Sequence, residues 1–294
     1  MQVGLEKVDA ITGATRLVLE PPMPPMTVRD LLQHTSGLVY SEEGDTAIHN
    51  RYRWAVFRRD ATLAEFVASL AKLPAAHQPG EVWEYSWGVD VLARVVEVAS
   101  GQPFNEFLQS RLFKPLGMLD TDFHVPGGKL SRLVDPPPSG RSPLWDVTKP
   151  SRLYSGGGGL VSTAPDYLRF CQMLLNGGEL DGVRILRPST VEQMTAPSLP
   201  ANIPFAGVVG GFVGPRWGSS WVLGFAIRTD PNTSIVPGGV GSFTRGGLWG
   251  TRFWIDPAEQ LAVVQMIQIE PFDDKGQYTR GLRQFTYDAL RAAR

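Results

Sequence analysis

Pro79-Gly80-Glu81-Val82-Trp83-Glu84-Tyr85-Ser86 is the stretch on which the fold assignment turns. A Pro-Gly turn leads into a short apolar-bearing run. That run delivers Tyr85 to the front of Gly88–Ser100, where Val89, Leu92, Val96 and Ala99 recur at helical spacing and Gly101 suits a left-handed stop. A tyrosine in this place has two readings. It is a half-buried core residue with its hydroxyl hydrogen-bonded, or a phenol presented to a substrate for proton transfer.

Working outward, Thr62 and Glu65 form a capping box for a helix over Thr62–Leu73, with Leu63, Phe66, Val67, Leu70 and Leu73 as its apolar stripe. Thr27 caps a short helix through Leu32, and His34-Thr35-Ser36-Gly37 turns the chain away from it. Residues 1–26 read as irregular and end in Pro21-Pro22-Met23-Pro24-Pro25. Phe104–Phe113 continues as helix, residues 125–155 form a Pro/Gly/Ser-rich loop, and Gly156–Gly159 is a turn. Thr163 caps a further helix, again with a capping box, to Asp166.

Beyond residue 220 the texture changes. Trp221–Arg228, Ser242–Arg245, Thr251–Ile255 and Leu261–Gln268 are rich in β-branched and aromatic residues, and Asp256-Pro257-Ala258-Glu259 is a hairpin-type connection. Lys275 to the end is an amphipathic helix with Leu282, Phe285, Ala289 and Leu290 on one side. Helices, then an antiparallel sheet, then a closing helix make an α+β chain. It reads as a single domain, 1–294, with 27–200 as a mostly helical lobe and 201–294 as the sheet plus the C-terminal helix.

The composition excludes several function classes. With 294 residues and 43% hydrophobic content the chain can bury a large core. A formal net charge of -1, without blocks of like charge, favours neither nucleic acid nor an anionic membrane as partner. Cys171 is the single cysteine and falls in an apolar helical pattern, which makes it a buried structural thiol. The first residues carry no signal-peptide layout, so a soluble, cytoplasmic protein is expected, although an export signal could be lost with a missing N-terminus. His34, His49, His77 and His124 are scattered and no His-Glu-x-x-His occurs, so no metal and no cofactor are expected. No Gly-x-Ser-x-Gly elbow marks an α/β-hydrolase.

Four motifs in order carry a family resemblance: Met26–Leu38 (MTVRDLLQHTSGL), Pro79–Ser86, Ser155–Thr163 (SGGGGLVST) and Gly246–Thr251 (GGLWGT). Together they resemble the serine β-lactamase and penicillin-binding-protein superfamily, in its class C-like, family VIII carboxylesterase branch. The resemblance covers nearly the whole chain. It implies a β-lactamase/transpeptidase-like fold, an antiparallel sheet flanked by helices plus a mostly helical lobe. It also implies an acyl-enzyme hydrolase, acting on a small-molecule ester with weak β-lactam hydrolysis beside it. In such enzymes a serine attacks a carbonyl, a lysine one helical turn later eases its deprotonation, and a tyrosine relays the proton.

The resemblance gives Tyr85 the proton-relay role. Trp87 stands where many β-lactamases carry asparagine, which fits the esterase branch better. Arg245-Gly246-Gly247 matches the family's Lys-Thr-Gly or Trp-Gly-Gly, and Leu248 would supply a backbone N–H to the oxyanion hole. Arg245 departs from both versions: it is a clamp for a substrate carboxylate or a solvated strand-end arginine.

The family's Ser-x-x-Lys precedes the segment matching Thr27–Gly37, where this chain has 26 residues and no serine. The expectation is an N-terminally truncated homologue without the first sheet strands and the nucleophile helix. Such a chain would be marginally stable, aggregation-prone, or a homodimer covering the truncated face. Ser69-Leu70-Ala71-Lys72 is a literal Ser-x-x-Lys, but at about 100° per residue Lys72 falls nearly opposite the apolar stripe. Two functions stay open: a serine hydrolase, or a catalytically inactive homologue that binds a ligand or partner chain.

Overall fold

The computed structural model describes residues 1–8, 15–55, 60–134, 146–210, 218–232, 236–269 and 275–294. They fall into two compact units. The first is Met1–Phe104, Ser151–Gly157 and Ser198–Gly214; the second is Asn105–Pro150, Gly158–Pro197 and Pro215–Arg294.

The first unit opens on an antiparallel pair, β1 (Val3–Val8) and β2 (Thr15–Glu20), in register from Val3↔Glu20 to Val8↔Thr15. This corrects the irregular reading of residues 1–26. Besides this local ladder, the start of β1 is tied to a distant segment: Gly4 N–H donates to Ala75 O and Ala75 N–H to Gln2 O, each at 2.8 Å. Helix α1 (Val28–Gln33) carries a capping box of Thr27 with Asp30, and His34 ends it in the left-handed region. α2 is Ala47–Ala55. α3 (Leu63–Leu70) starts at the expected Thr62–Glu65 capping box but stops a turn early. α4 (Gly88–Ser100) ends at Gly101 with φ 70°, as its sequence requires. Leu31, Leu38, Ile48, Leu63, Phe66, Leu70 and Trp83 fill the core.

In the second unit α5 (Phe104–Leu108) runs on into a π-helical turn, Gln109–Phe113, and the segment expected to be loop holds a 3-10 helix, Gly127–Arg132. α6 (Ala164–Leu175) is capped by Thr163, but without the reciprocal bond of a box. The Asp166 carboxylate goes instead to Asp120 N–H at 2.7 Å and the Thr121 hydroxyl at 2.9 Å. β3 (Glu179–Leu180) and β4 (Val183–Arg184) form a minimal hairpin before α7 (Pro188–Thr195). A one-turn helix, α8 (Gly207–Gly210), belongs to the first unit.

The main sheet is antiparallel, in the order β5 (Ser219–Trp221), β6 (Ala226–Arg228), β7 (Phe243–Gly246), β8 (Arg252–Asp256), β9 (Leu261–Gln265). The single run expected over 221–228 is two strands, because Gly224 at φ 93° turns the chain and Val222 N–H bonds Phe225 O. On one face Ile227, Phe243, Phe253 and Ile255 pack against Cys171, Met173 and Leu174 of α6. Each such side chain contributes roughly 1.5–3 kcal/mol by leaving water. Burial pushes the Cys171 thiol up to about 12, as suits an inert packing residue.

The opposite face meets α9 (Lys275–Ala292) through Arg283, set over the Trp254 ring, and Tyr287, whose hydroxyl reaches Asp256. This corrects the expected apolar side of α9: Leu282 and Phe285 are exposed, and the buried residues are Arg283 and Tyr287. Polar anchoring, not an apolar stripe, docks this helix.

Candidate active site

Tyr85 lies in the first unit, three residues ahead of α4. Its neighbours fix it from both sides through one residue, His34. Glu84 N–H donates to His34 O at 3.0 Å, and Ser86 N–H donates to His34 Nδ1 at 3.2 Å. A ring nitrogen that accepts this way leaves the imidazole proton on Nε2. The His34 ring packs on Tyr85 at 4.7 Å between centroids, and Tyr40 packs on it at 5.2 Å. Tyr85 stays half-buried. Upstream, Gly80 at φ 85° lets its N–H reach Thr35 O at 2.8 Å; downstream of Trp83, Ala206 N–H closes on Trp83 O at 2.9 Å.

The His34-Thr35-Ser36-Gly37 turn thus holds the tyrosine segment, and glycine is required in it. Gly37 has φ 77°, and a Cβ there would sit 2.1 Å from His77 O.

Beneath Tyr85 lies a buried charge that motif reading misses. Glu84 is 2% exposed. His49 Nε2 and His77 Nε2 each stand 2.6 Å from one of its oxygens. Burial works against the ionised form, but the two imidazole hydrogen bonds outweigh it and hold this carboxyl below the usual range. A carboxylate only accepts, so both imidazoles present N–H at Nε2. Thr46 Oγ1, 2.8 Å from His49 Nδ1, satisfies the other side of that ring. Two of the four scattered histidines therefore converge on the residue preceding Tyr85. The available signal was a glutamate inside an otherwise buried run, a residue type almost never buried without a partner. Among the described residues no group of three or more histidine, cysteine, aspartate or glutamate side chains could hold a metal ion.

A second buried carboxyl lies on α4. Asp90 accepts from the Ser155 hydroxyl and from Gly157 N–H. Desolvation dominates these bonds and raises its pKa to about 6. The glycines after Ser155 allow close approach, since a Cβ at Gly156 would lie 2.1 Å from Val89 O.

In the second unit, Arg245 and Gly246 end β7, and Gly247 and Leu248 enter its turn to β8. Gly247 N–H closes the hairpin on Thr251 O at 2.7 Å. Leu248 is exposed at the tip. The Arg245 guanidinium lies 4.7 Å from the Trp221 ring centroid, a cation–π placement that leaves it half-buried. The literal Ser-x-x-Lys pair lies in the first unit. Ser69 gives its hydroxyl to Glu65 O one helical turn back, at 3.0 Å, and Lys72 is exposed beyond the end of α3.

A profile of the Beta-lactamase family matches residues 18–287. Protein Rv1367c of Mycobacterium tuberculosis is 35% identical over 260 residues, covering 84% of this chain and 63% of its own length. The chain thus spans less than two thirds of that relative. Esterase EstB of Burkholderia gladioli is 30% identical over 289 residues, covering 90% of this chain and 70% of EstB. Among solved structures, the LovD6 mutant of simvastatin synthase from Aspergillus terreus superposes with a TM-score of 0.73 at 25% identity, over 99% of this chain and 72% of that one. The chain has the β-lactamase-like α+β fold, and it belongs to the Beta-lactamase family, whose relatives include esterases, penicillin-binding proteins and acyltransferases.

Proposed function

We propose that this protein is a serine hydrolase that cleaves small carboxylic esters through an acyl-enzyme, with Tyr85 as its proton relay. The observation that carries this reading is the fixing of Tyr85: both flanking residues are tied to His34 while the phenol ring remains half-buried at the head of α4. A general acid–base has to be held in place without being sealed from substrate. The likeness to Esterase EstB supports ester chemistry.

In the proposed reaction a serine hydroxyl adds to the ester carbonyl, and the carbonyl–alkoxide bond breaks. Tyr85 passes the serine's proton to the departing alcohol. Water then adds to the acyl-serine, its proton returns to the serine oxygen, and the carboxylic acid leaves. Gly246 and Gly247 would let the acyl group lie close to the β7 backbone, with the Leu248 N–H on the developing oxyanion. Arg245 would border the pocket. Ser69 is not assigned as the nucleophile, because its hydroxyl is spent within its own helix.

The test is rapid mixing of the protein with p-nitrophenyl butyrate. One equivalent of p-nitrophenol in a burst, followed by turnover, is expected, and Ser69→Ala should behave identically. Stoichiometric ligand binding without release of p-nitrophenol would overturn the hydrolase reading. Loss of the burst in Ser69→Ala would move the nucleophile to Ser69.

A further inference from the structure

The second unit holds a small cavity on the face of the sheet opposite the α6 core. It measures about 60 Å³ and is lined by Ser219, Arg228, Ser242, Thr244 and Arg283, with Ala226, Val236 and Phe243 completing the wall. The strand register places Ser219 beside Arg228, and Arg228 N–H donates to Ser242 O across the next strand. Hydroxyl, guanidinium and hydroxyl thus run side by side across β5, β6 and the start of β7, and Arg283 of α9 closes the space from above.

The charge in this space is one-sided. Arg228 is 8% exposed and Arg283 7%. Arg228 donates to two neutral acceptors, Gly238 O and Val236 O. Arg283 lies over the Trp254 ring and beside the Tyr287 hydroxyl, and its buried Nε has no hydrogen-bond partner among the described residues. The two guanidinium groups converge: a Cβ built on Gly238 would stand 2.9 Å from Arg283 Nη2 and 3.2 Å from Arg228 Nη1. Burial, and then the charges of Arg283 and Arg245, disfavour the charged form of nearby Arg252. Among the described residues Asp256 faces them, engaged by Tyr287 Oη at 2.6 Å and Gly239 N–H at 2.8 Å, and half-buried Asp230 lies near enough to Arg228 to favour its charged form. Buried charges are normally paired, because an uncompensated ion in a low-dielectric interior is strongly unfavourable. Among the described residues the two lining arginines have only these already engaged or peripheral carboxylates near them, and the cavity lies where a further counter-charge would meet them.

We propose that this cavity is a binding site for a tetrahedral oxyanion of the phosphate or sulfate type, held by Arg228 and Arg283 with the Ser242 hydroxyl as a further donor. Fork-shaped guanidinium groups match the oxygens of such an ion. A water's share of liquid volume is about 30 Å³, so the space takes a compact ion and not a larger organic body. The ion would tie β6 to α9 across the sheet face, an anchoring role independent of Tyr85 and of any ester chemistry.

Equilibrium dialysis of the intact protein against radiolabelled inorganic phosphate tests the site, with sodium chloride holding ionic strength constant. One phosphate per chain is expected, displaced by sulfate and not by chloride. Arg283→Met should weaken binding by about tenfold or more, and Ser242→Ala by a few-fold. Ser242→Ala serves as the decisive variant if Arg283→Met fails to fold. A methyl phosphate arm separates the sources: competition equal to that of free phosphate assigns the site to a phosphate monoester's head, and weaker competition assigns it to the free ion. Absence of saturable phosphate binding, or binding unchanged in Ser242→Ala and Arg283→Met alike, would overturn the proposal.

Discussion

The Pro79–Ser86 segment and the β7–β8 hairpin are two of the four motif regions of this chain, and they are built in opposite ways. The first is buried and cross-tied: His34 holds the residues on either side of Tyr85, and Glu84 anchors two histidines beneath it. The second is an exposed, glycine-rich turn held by its own backbone, with Gly247 N–H on Thr251 O and Leu248 at the tip. A group that must present a proton at a fixed point benefits from the first construction. A strand edge that admits a ligand to its backbone benefits from the second.

Substitutions can break that contrast. The largest effect is expected from Glu84→Gln. An amide oxygen can accept from only one of the two Nε2–H groups, so one buried imidazole loses its partner. A loss of about 3 kcal/mol is expected in urea unfolding. The native carboxyl lies below its usual range, so its contribution is fully present above the unfolded value and is lost as pH falls through the lower folded one. Melting curves taken from pH 6 down to pH 3 should converge for Glu84→Gln and the native protein.

Asp90 has the reverse sign. Its folded pKa of about 6 lies above the 3.8 of an ordinary aspartate, because burial disfavours the charged form. The native state therefore binds the extra proton, and stability falls as pH rises between these values. A shift of this size corresponds to something on the order of 3 kcal/mol across the window. Asp90→Asn should flatten the melting temperature between pH 4 and pH 6.5 (about the span of the two values). A slope identical to the native one would remove Asp90 as its source.

Paired alanine substitutions sharpen the comparison most cleanly. At Gly37 the added Cβ meets a backbone carbonyl at a positive φ, and a destabilisation of about 3 kcal/mol is expected. At Gly247 the added Cβ meets Thr251 Oγ1 at 2.4 Å, a side-chain atom on an exposed turn that can rotate away. There the expected cost is about 1 kcal/mol or less. Equal losses at the two glycines, measured by urea unfolding, would dissolve the distinction between the cross-tied and the self-supporting motif.

The residues explain how much of this was legible beforehand. Thr62–Glu65, Gly101 and the strands from Phe243 to Gln265 follow from local rules, because a cap or an alternating strand carries its partner within a few residues. The Thr163–Asp166 box has the right spacing and still does not close, because Asp120 and Thr121 claim the Asp166 carboxylate. The β1–β2 pair escapes notice although its register is local, Val3↔Glu20 to Val8↔Thr15; only its further tie, to Ala75, lies some seventy positions away. The position of Tyr85 could be read from the Pro-Gly turn ahead of it. The Glu84 network could not, since its partners approach from 35 residues upstream on α2 and from the turn at His77. The outward-facing Leu282 and Phe285 mislead because α9 is anchored by Arg283 and Tyr287, which a hydropathy pattern scores as the polar side.

The central claim is that the phenol of Tyr85 moves a proton in ester cleavage. Its most direct test is kcat/KM for p-nitrophenyl butyrate in Tyr85→Phe, with the melting temperature measured on the same sample. Loss of the hydroxyl should lower kcat/KM by roughly 10²–10⁴-fold while the melting temperature stays within a degree or two, since the ring contacts with His34 and Tyr40 are retained. Native kcat/KM in a folded Tyr85→Phe variant would contradict the account.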